Sequence, residues 1–332
     1  MRPLFQPALV NDAFGDPALY VDLMYQRGAL LFDMGELGAL PPRKLLRITH
    51  GFVSHAHMDH FAGLDRLVRL FLARPGRLHL YGPPQFVARV EHRLAGYTWN
   101  LVHNYDTDFT LVVTEADADG RAFSADFHAR HGFARSNERH FVTKDYVLVE
   151  KPAFRVRYTV LDHKIPSLAF VAEEARHVNV LKARLEARGL VVGPWLNGLK
   201  QLVLDAAPAT TRVPVTQVDG LGERSLGELM DVVRVVPGQR LAYVTDCAGS
   251  EANAERIVAL AARADMLYIE APFLAEDEEE ARRKAHLTAR DAGRLARRAG
   301  VRKVIPFHFS SRYEGNAEAL RAQVAAAFAG EI

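Results

Sequence analysis

The sequence predicts an α/β protein in which two β-sheets pack together and are covered by helices. Two observations favour this class. Strand-like and helix-like segments alternate near both ends of the 332-residue chain, and strand-like segments follow one another through 109–173. A sheet or a helix must bury its apolar face against a neighbouring layer, so this order of segments indicates two sheets with helices outside them. The sequence shows no repeat of fixed period and no low-complexity linker that would divide it.

The first hundred residues alternate short strands with helices. The strand-like segments are 18–26, 28–35, 51–55 and 78–82. The first two are joined tightly at Arg27 and Gly28. Apolar residues spaced three and four apart predict helices at 64–73 and 84–97. The second helix starts at a Pro-Pro pair, and proline is tolerated in the first turn of a helix.

Strands dominate the middle of the chain, and a regular α/β order returns after residue 238. Alternating apolar and polar side chains predict the strands 109–116, 121–127, 146–151, 154–161 and 168–173. Between 174 and 230 the pattern is less regular, although 180–189 is helical. The last predicted strands are 241–246, 266–271 and 301–309, and helices are expected at about 250–263, 288–299 and 316–328.

Composition excludes several classes of protein. The 42 basic and 40 acidic residues give a net charge of +2, which excludes a strongly basic coat protein. Cys247 is the only cysteine, so an intrachain disulfide and a cysteine-rich zinc site are excluded. The first residues lack the apolar core of a secretory signal, and no apolar run reaches the length of a membrane span. We therefore expect a cytoplasmic protein that does not enter the membrane.

A dense cluster of metal-binding side chains follows the strand predicted at 51–55. His55, His57, Asp59 and His60 lie within six residues. Imidazole and carboxylate are ligands that suit Zn²⁺, Mn²⁺ and Fe²⁺. If the strand continues, His55 and His57 point to the same side and can share one ion, while a turn presents Asp59 and His60 to a second ion. A polar surface loop is the alternative interpretation, and four such side chains at this spacing argue against it.

Three later residues are candidates to complete a two-metal site. His163, Asp246 and His308 each lie where a predicted strand ends. Any one of them alone is more typical of a core or capping residue than of a ligand. Their order after the histidine cluster, each at the end of a strand, favours additional ligands for the same site.

Six motifs of this chain occur together in one known family. They are LLFDMGE at 30–36, HAHMDH at 55–60 and, after residue 238, YVTD, YIEAPF, KAHLTARDAG and PFHFSSRYEG. They resemble the metallo-β-lactamase superfamily and, within it, the ribonuclease Z branch, over about residues 18–328. The resemblance implies a four-layer αββα sandwich of two mixed β-sheets, formed by a single domain over 1–332. It also implies an enzyme that makes the 3′ end of tRNA by cutting one phosphodiester.

The resemblance also implies how the metal ligands divide. His55, His57 and His163 would bind a first ion, Asp59, His60 and His308 a second, and Asp246 would bridge both. The implied cofactors are two divalent ions, zinc in the first place, with Mn²⁺ and Fe²⁺ as alternatives. Asp33 corresponds to a carboxylate that orients the histidine loop.

Three residues are implied to act directly in the reaction. Asp59 would orient the attacking hydroxide as well as bind metal. Glu270 and His286 correspond to a pair assigned to proton transfer at the leaving 3′ oxygen. Without the resemblance, Glu270 is equally well interpreted as an ordinary strand-end carboxylate. His286 is then a solvated histidine before the helix that Thr288 caps.

The stretch 174–205 is implied to be a protruding arm that grips precursor tRNA, and Gly193 and Pro194 resemble an element of that arm. Its basic and acidic residues are mixed. Because non-specific RNA affinity comes from neutralising phosphates, we expect weaker tRNA binding than a basic arm would give. Its apolar side chains could instead pack on the body or join two copies in a homodimer; they are Leu181, Leu185, Leu190, Trp195 and Leu196.

Two further hypotheses stay open. The family usually opens with a Lys-Arg-Asn loop that senses the tRNA 3′ end, whereas this chain has no Lys or Arg between Arg2 and Arg27. This difference favours an alternative in which the same metal site hydrolyses a small phosphodiester or another ester. A catalytically dead RNA-binding homologue is the other hypothesis, and the complete ligand set argues against it. The basic stretch 128–144 is either a substrate-facing insertion or a solvated hairpin.

Overall fold

The chain folds into two compact units. A computed structural model of the protein describes residues 4–24, 26–72 and 74–332. The larger unit comprises Leu4–Glu173 and Arg240–Ile332, and the smaller contains Glu174–Gln239. Two residues of the predicted elements, Tyr25 and Ala73, lie outside the described residues.

The first sheet of the larger unit follows the order of the chain. Its strands are β1 (Phe5–Leu9), β2 (Leu19–Leu23), β3 (Ala29–Phe32), β4 (Ile48–Phe52), β5 (Gly76–Gly82), β6 (Phe109–Ala116), β7 (Arg121–His128) and β8 (Arg135–Val142). Pairing is parallel from β3 to β6 and antiparallel on both sides of that block. Parallel strands are buried on both faces, which explains the short apolar run of β3, whose residues are all buried.

The second sheet combines strands from before and after the smaller unit. The other strands of the described residues are β9 (Val147–Glu150), β10 (Phe154–Asp162), β11 (Pro166–Glu174), β12 (His177–Val180), β13 (Arg212–Gln217), β14 (Gly220–Ser225), β15 (Val233–Val236), β16 (Arg240–Val244), β17 (Met266–Glu270) and β18 (Val304–Phe307). The sheet has the order β18-β17-β16-β11-β10-β9. Because β16, β17 and β18 are parallel, their carboxyl ends meet at one edge.

Helices cover the outer faces of both sheets. The helices of the described residues are α1 (Pro42–Leu45), α2 (Met58–Phe61), α3 (Leu64–Phe71), α4 (Phe86–Ala95), α5 (Lys182–Ala187), α6 (Trp195–Leu204), α7 (Leu226–Leu229), α8 (Glu251–Ala261), α9 (Glu278–Lys284), α10 (Ala289–Ala299) and α11 (Ala317–Ala329). Side chains of α1, α3 and α4 share a buried cluster with the first sheet. Those of α8, α10 and α11 share another with the second sheet.

A third apolar layer lies between the two sheets. At its centre the Phe32 ring stacks on Phe52, with centroids 4.9 Å apart, and on Tyr243 of the second sheet at 5.7 Å. Burying one such ring contributes about 1.5–3 kcal/mol relative to leaving it exposed. Helix, sheet, sheet and helix therefore form four layers, and the predicted αββα sandwich is confirmed.

Local sequence sets the ends of α10 as the pattern predicted. The Thr288 hydroxyl accepts a hydrogen bond from the backbone N–H of Asp291, and the Asp291 carboxylate accepts one from the backbone N–H of Thr288. Gly300 ends the helix with a φ of 63°, in the left-handed region that glycine adopts without strain. Between these caps, small apolar residues and Leu295 recur on the buried face.

The smaller unit has a hydrophobic core of its own. It contains the two-stranded sheets β12–β15 and β13–β14 together with α5, α6 and α7. The buried cluster includes Leu185, Leu190, Leu196 and Leu199. The predicted helix at 180–189 is present as the shorter α5, whereas α6 was not predicted. The segment 174–205, interpreted above as an arm, lies wholly inside this unit, which continues to Gln239.

Several predicted boundaries are wrong. The strand expected at 51–55 is β4, which ends at Phe52, and the strand expected at 301–309 is the shorter β18. Neither β1 nor β8 was predicted. Strand β8 lies at the edge of the first sheet, and most of its residues are exposed, so 128–144 contains the solvated second strand of the β7–β8 hairpin. In the described parts of the chain, no helix is long and apolar enough to cross a membrane.

Candidate metal centre

Loops at the ends of five strands bring the predicted site residues together. The residues are His55, His57, Asp59 and His60 after β4, His163 after β10, Asp246 after β16, Glu270 at the end of β17, His286 before α10 and His308 after β18. Residues 249 positions apart in sequence are thus within contact distance, as between Asp59 and His308 at 3.3 Å. The fold therefore gathers at one place every residue that the sequence singled out.

A buried carboxylate fixes the histidine loop. Asp33 accepts the backbone N–H of Ser54 on Oδ1 at 2.7 Å, and on Oδ2 it accepts the Ser54 hydroxyl at 2.9 Å. The same Oδ2 lies 2.9 Å from Nδ1 of His60, so His60 presents Nε2 to the site. Capture of the Ser54 N–H explains why β4 stops before the histidines. His55 and His57 therefore lie in a loop rather than on a continuing strand, yet their ring centroids are 4.4 Å apart.

Asp246 lies at the centre of the cluster. Its Oδ2 is 3.7 Å from Nε2 of His55 and 3.4 Å from Nε2 of His163. Its Oδ1 is 3.3 Å from Nε2 of His60 and 2.9 Å from Nδ1 of His308. The two oxygens of one buried carboxylate thus face two different sets of histidines.

Three groups of ligand atoms from the described residues meet at this centre. In the first, one ligand atom from each residue lies within 4.8 Å of the others; its members are His55, His57, His163 and Asp246. The second meets the same criterion with Asp59, His60 and His308. A third group meets it with Asp246, Glu270, His286 and His308. His308 directly follows β18. Its φ of 60° lies in the left-handed region, so the chain turns sharply at this residue. The division of ligands that the resemblance implied is compatible with the first two groups, although Asp246 is a member of only the first of them, and that division stays a prediction.

The chemistry of these groups fits divalent metal ions. The Nε2 atoms of His55 and His60 are buried and make no hydrogen bond within the described residues. A buried polar atom without a partner costs about 1–3 kcal/mol, which a coordinate bond would offset. Nitrogen and carboxylate oxygen are the donors that zinc and related ions select. Cys247 belongs to none of the groups in the described part of the chain, so a thiolate ligand is not indicated.

Electrostatics support the same interpretation. Burial alone would raise the pKa of Asp246, but His308 and His60 outweigh burial and hold that pKa well below its ordinary value. Burial, followed by the neighbouring His60, lowers the pKa of His55 to about 2. Asp246 is therefore an anion and His55 a neutral imidazole, the protonation states that coordinate metal. Burial lowers the pKa of His60 and of His308, but Asp246 outweighs burial and raises both, so these two histidines must release a proton when a metal ion binds.

A second carboxylate–histidine pair adjoins the cluster. Nδ1 of His286 lies 2.7 Å from Oε2 of Glu270, whose Oε1 accepts the backbone N–H groups of Cys247 at 3.0 Å and Leu287 at 3.1 Å. Burial lowers the pKa of His286, but Glu270 outweighs burial and the net pKa is raised. His286 can therefore hold a proton on Nε2, which lies 3.9 Å from Oδ2 of Asp246.

Sequence reasoning missed two residues that support the site. Ser54 bonds Asp33 through both its backbone and its hydroxyl, and the Tyr243 hydroxyl donates to Asp33 Oδ2 at 2.9 Å. Both belong to motifs that were noted for other residues. A serine after a strand and a tyrosine within one are common core residues, so the sequence contained no signal for their role.

Comparison with known proteins identifies relatives along most of the chain. A family model described as "Beta-lactamase superfamily domain" matches residues 171–309. The curated protein "Ribonuclease Z" of Deinococcus radiodurans is 32% identical, over 93% of this chain and 91% of that protein. "Ribonuclease Z" of Thermobifida fusca is 35% identical, over 93% of this chain and 84% of that protein.

Solved structures resemble the fold. Human tRNase Z, short form, matches with a TM-score of 0.52 and 20% identity, over 93% of this chain and 91% of that one. The metallo-β-lactamase fold protein YhfI of Bacillus subtilis matches with a TM-score of 0.54 and 13% identity, over 97% and 92%. At these identities the likeness shows the fold alone. With the curated relatives beside it, the chain has the metallo-β-lactamase fold and belongs to the ribonuclease Z family.

Proposed function

We propose that this protein is a metal-dependent endonuclease that cuts precursor tRNA once, at its 3′ end. One observation carries the proposal: the two oxygens of buried Asp246 face two different sets of histidines, and the Glu270–His286 pair lies beside them. Its ribonuclease Z relatives match over more than nine-tenths of the chain. A cytoplasmic site of action, expected from the sequence, is part of this proposal because precursor tRNA is found there.

Seven side chains would hold two divalent ions, zinc in the first place and Mn²⁺ or Fe²⁺ as alternatives. His55, His57 and His163 would bind the first ion, Asp59, His60 and His308 the second, and Asp246 both. When bound, such a pair of ions supplies Lewis acidity to a phosphodiester and makes a water molecule acidic near neutral pH. Asp59 is half-exposed, with 43% of its side chain accessible, so its carboxylate can accept a hydrogen bond from the attacking water and orient it.

The Glu270–His286 pair would act on the leaving group. The Nδ1 hydrogen bond to Glu270 fixes the ring of His286 and keeps it protonated, so Nε2 can give its proton to the leaving 3′ oxygen. Backbone N–H groups hold the other oxygen of Glu270 and prevent the carboxylate from turning away. Cleavage would then release a 3′ hydroxyl on one fragment and leave the phosphate on the 5′ end of the other.

We assign the smaller unit to binding the body of the tRNA. Residues 174–239 contain eight basic and seven acidic side chains, and Arg188 is paired with Asp231 at 2.7 Å. Its charge is therefore nearly balanced, and the unit should bind RNA with a shallow salt dependence. Its leucines at 185, 190 and 196 are buried in its own core, so they do not form the apolar face suggested above. A homodimer stays a prediction.

The test is metal analysis combined with mapped cleavage. Protein purified without chelator should contain close to two metal ions per chain, and it should cut a precursor tRNA at one position next to the mature 3′ end. His57→Ala should lose metal and cleavage together, because it removes a ligand. Less than half an ion per chain in metal-replete protein would contradict the two-ion site. Full activity on bis-p-nitrophenyl phosphate without cleavage of precursor tRNA would contradict the proposal that precursor tRNA is the substrate.

A further inference from the structure

A cleft of about 400 Å³ opens beside His55 and His57. Its other walls are formed by Pro83, Pro84, Gln85, Arg89, Ile165 and Pro166. The volume falls within the range of small-ligand sites, about 300–1,000 Å³. Neither His286 nor Glu270 is among the described residues that line the cleft. The cleft therefore adjoins the metal centre on a side where the leaving-group pair is not found.

One wall of the cleft carries a cation without an anionic partner. Arg93, one turn further along α4, is paired with Asp65 at 2.8 Å. Arg89 is exposed, and no described carboxylate lies within ion-pair distance of it; its Nη2 is 3.4 Å from Oε1 of Gln85. Gln85 has a φ of 71°, which is uncommon for residues other than glycine. A guanidinium in this setting is suited to binding a phosphate through paired N–H donors.

The remaining walls are apolar and stiff. Ile165 is 40% exposed although it lies two residues after His163, and Pro166 follows it. The backbone N–H of His163 donates to the carbonyl of Ile165 at 3.0 Å, which ties this wall to the metal centre. Pro83 and Pro84 add further apolar lining to the same cleft. Apolar walls with one cation match a nucleoside that carries a phosphate.

We propose that this cleft binds the first nucleotide on the 3′ side of the cut. Its 5′ oxygen stays attached to the scissile phosphate after cleavage. The base would lie against Pro84 and Ile165, and Arg89 would contact the next phosphate, on the 3′ oxygen of that nucleotide. The inference rests on the proposed function. His286 is assigned to the leaving oxygen, and it does not line the cleft. A group bound beside His57 therefore belongs to the other fragment, which keeps the phosphate.

Three substrates with the same leaving group separate these contacts. They are methyl p-nitrophenyl phosphate, thymidine 5′-(p-nitrophenyl phosphate), and the latter compound with an added 3′-phosphate. Arg89→Ala should raise KM for the third substrate about tenfold with kcat unchanged, because a uniform binding contact is lost. It should change the first two less than about twofold. Ile165→Ala should raise KM for both thymidine esters and leave the methyl ester unchanged.

Binding measured without turnover completes the test. Calorimetric titration of thymidine 3′,5′-bisphosphate into the metal-loaded protein should give a Kd about tenfold weaker for Arg89→Ala than for wild type. Arg66→Ala, an exposed arginine on α3 outside the cleft, is the matched control and should change neither KM nor Kd. The inference is overturned if Arg89→Ala behaves like Arg66→Ala, or if it impairs all three substrates equally. Failure of wild type to hydrolyse any of them would contradict the proposed function instead, and the titration would still test the cleft.

Discussion

The hydroxyl of Tyr243 donates a 2.9 Å hydrogen bond to Oδ2 of Asp33. Asp33 follows β3 in the first sheet, and Tyr243 belongs to β16 in the second, so this bond crosses between the sheets. The same oxygen holds the Ser54 hydroxyl and lies 2.9 Å from Nδ1 of His60. One buried carboxylate therefore connects the packing of the two sheets to the orientation of a metal-binding histidine.

Tyr243→Phe should weaken the metal site without unfolding the protein. The substitution keeps the ring in the core and removes one of the hydrogen bonds that fix Asp33. Loss of such a supporting contact typically costs about 10–100-fold in metal affinity or activity, and the lower end is expected because Asp33 keeps its other partners. Competition with a chelator and the cleavage rate measure the effect. Tyr268→Phe, a buried tyrosine of the same sheet, is the control, and equal losses in both variants would contradict the role given to the bond.

His286→Ala should retain metal but hydrolyse phosphodiesters more slowly. The loss in hydrolysis rate should be larger for a poor leaving group than for a good one. A general acid contributes about 10²–10⁴-fold when the leaving oxygen is an alkoxide, and little when the leaving group is a stable phenolate. We expect a large defect on precursor tRNA and a small one on bis-p-nitrophenyl phosphate. If the variant loses metal, or if both substrates slow by the same factor, His286 is not the proton donor.

Glu173→Gln should lower stability at neutral pH. Arg155, Arg157 and Arg240 surround the Glu173 carboxylate at 2.7, 2.9 and 3.2 Å. Burial alone would raise the pKa of Glu173, but the arginines outweigh burial and hold it below its ordinary value. One charge-assisted hydrogen bond contributes about 1.5–3 kcal/mol. Because the three arginines are partly exposed, we expect the whole substitution to lower the free energy of unfolding at pH 7 by about the same amount.

The pH dependence of that loss has a definite sign. Because the folded protein binds the Glu173 proton less tightly than the unfolded chain does, the carboxylate stabilises the fold above the unfolded pKa. The stabilisation disappears as pH falls through the folded value. Urea unfolding of wild type and Glu173→Gln should therefore show a constant difference in stability from pH 7 to about pH 5 and converging stabilities below the unfolded pKa of 4.5. Glu251→Gln, which removes a surface pair with Arg298, is the control and should have no measurable effect.

Removal of the smaller unit should separate RNA binding from chemistry. The backbone N–H of Glu174 donates to the carbonyl of Gln239 at 2.8 Å, so the chain leaves and re-enters at one hydrogen-bonded pair. Deletion of 176–237 together with Ala175→Asn would join β11 to β16 through an Asn-Gly turn, which suits a two-residue hairpin. KM for precursor tRNA should rise and its salt dependence should weaken, while methyl p-nitrophenyl phosphate is hydrolysed as before. Equal losses on both substrates would instead make the unit part of the active site.

Sequence patterns were sufficient to single out the histidine cluster and the strand-end residues that lie beside it, whereas Glu270 and His286 were implied only by the family resemblance. His55, His57, Asp59 and His60 are dense enough within one loop to be found without a structure. Asp246 was identified because it follows a strand and precedes a helix, where side chains reach the edge of a parallel sheet. Supporting residues could not be found in this way. Arg89 is one arginine among many on helices, and only the structure shows that it lines the cleft and that no carboxylate of the described residues lies within ion-pair distance of it.

The extent of the smaller unit was also beyond sequence reasoning. Its sheets pair strands of four to six residues, and β12 and β15 lie more than fifty positions apart. Strands this short give weak alternation, and their pairing depends on the core they enclose rather than on local propensity. The helix α6 contains Gly198 and Asn197, poor helix formers, and it is stabilised by the burial of Leu196 and Leu199.

The left-handed backbone of His308 restricts how this enzyme can lose activity in evolution. Glycine and asparagine adopt such a φ readily, whereas valine, isoleucine and threonine do so only with strain. A descendant that carries glycine or asparagine at this position would keep the fold and discard a metal ligand in a single step. A β-branched replacement would also strain the loop after β18 and destabilise the fold. Selection would then eliminate the variant before it could acquire another function. Non-hydrolytic relatives that survive as RNA-binding proteins should therefore be recognisable by which residue has replaced this histidine.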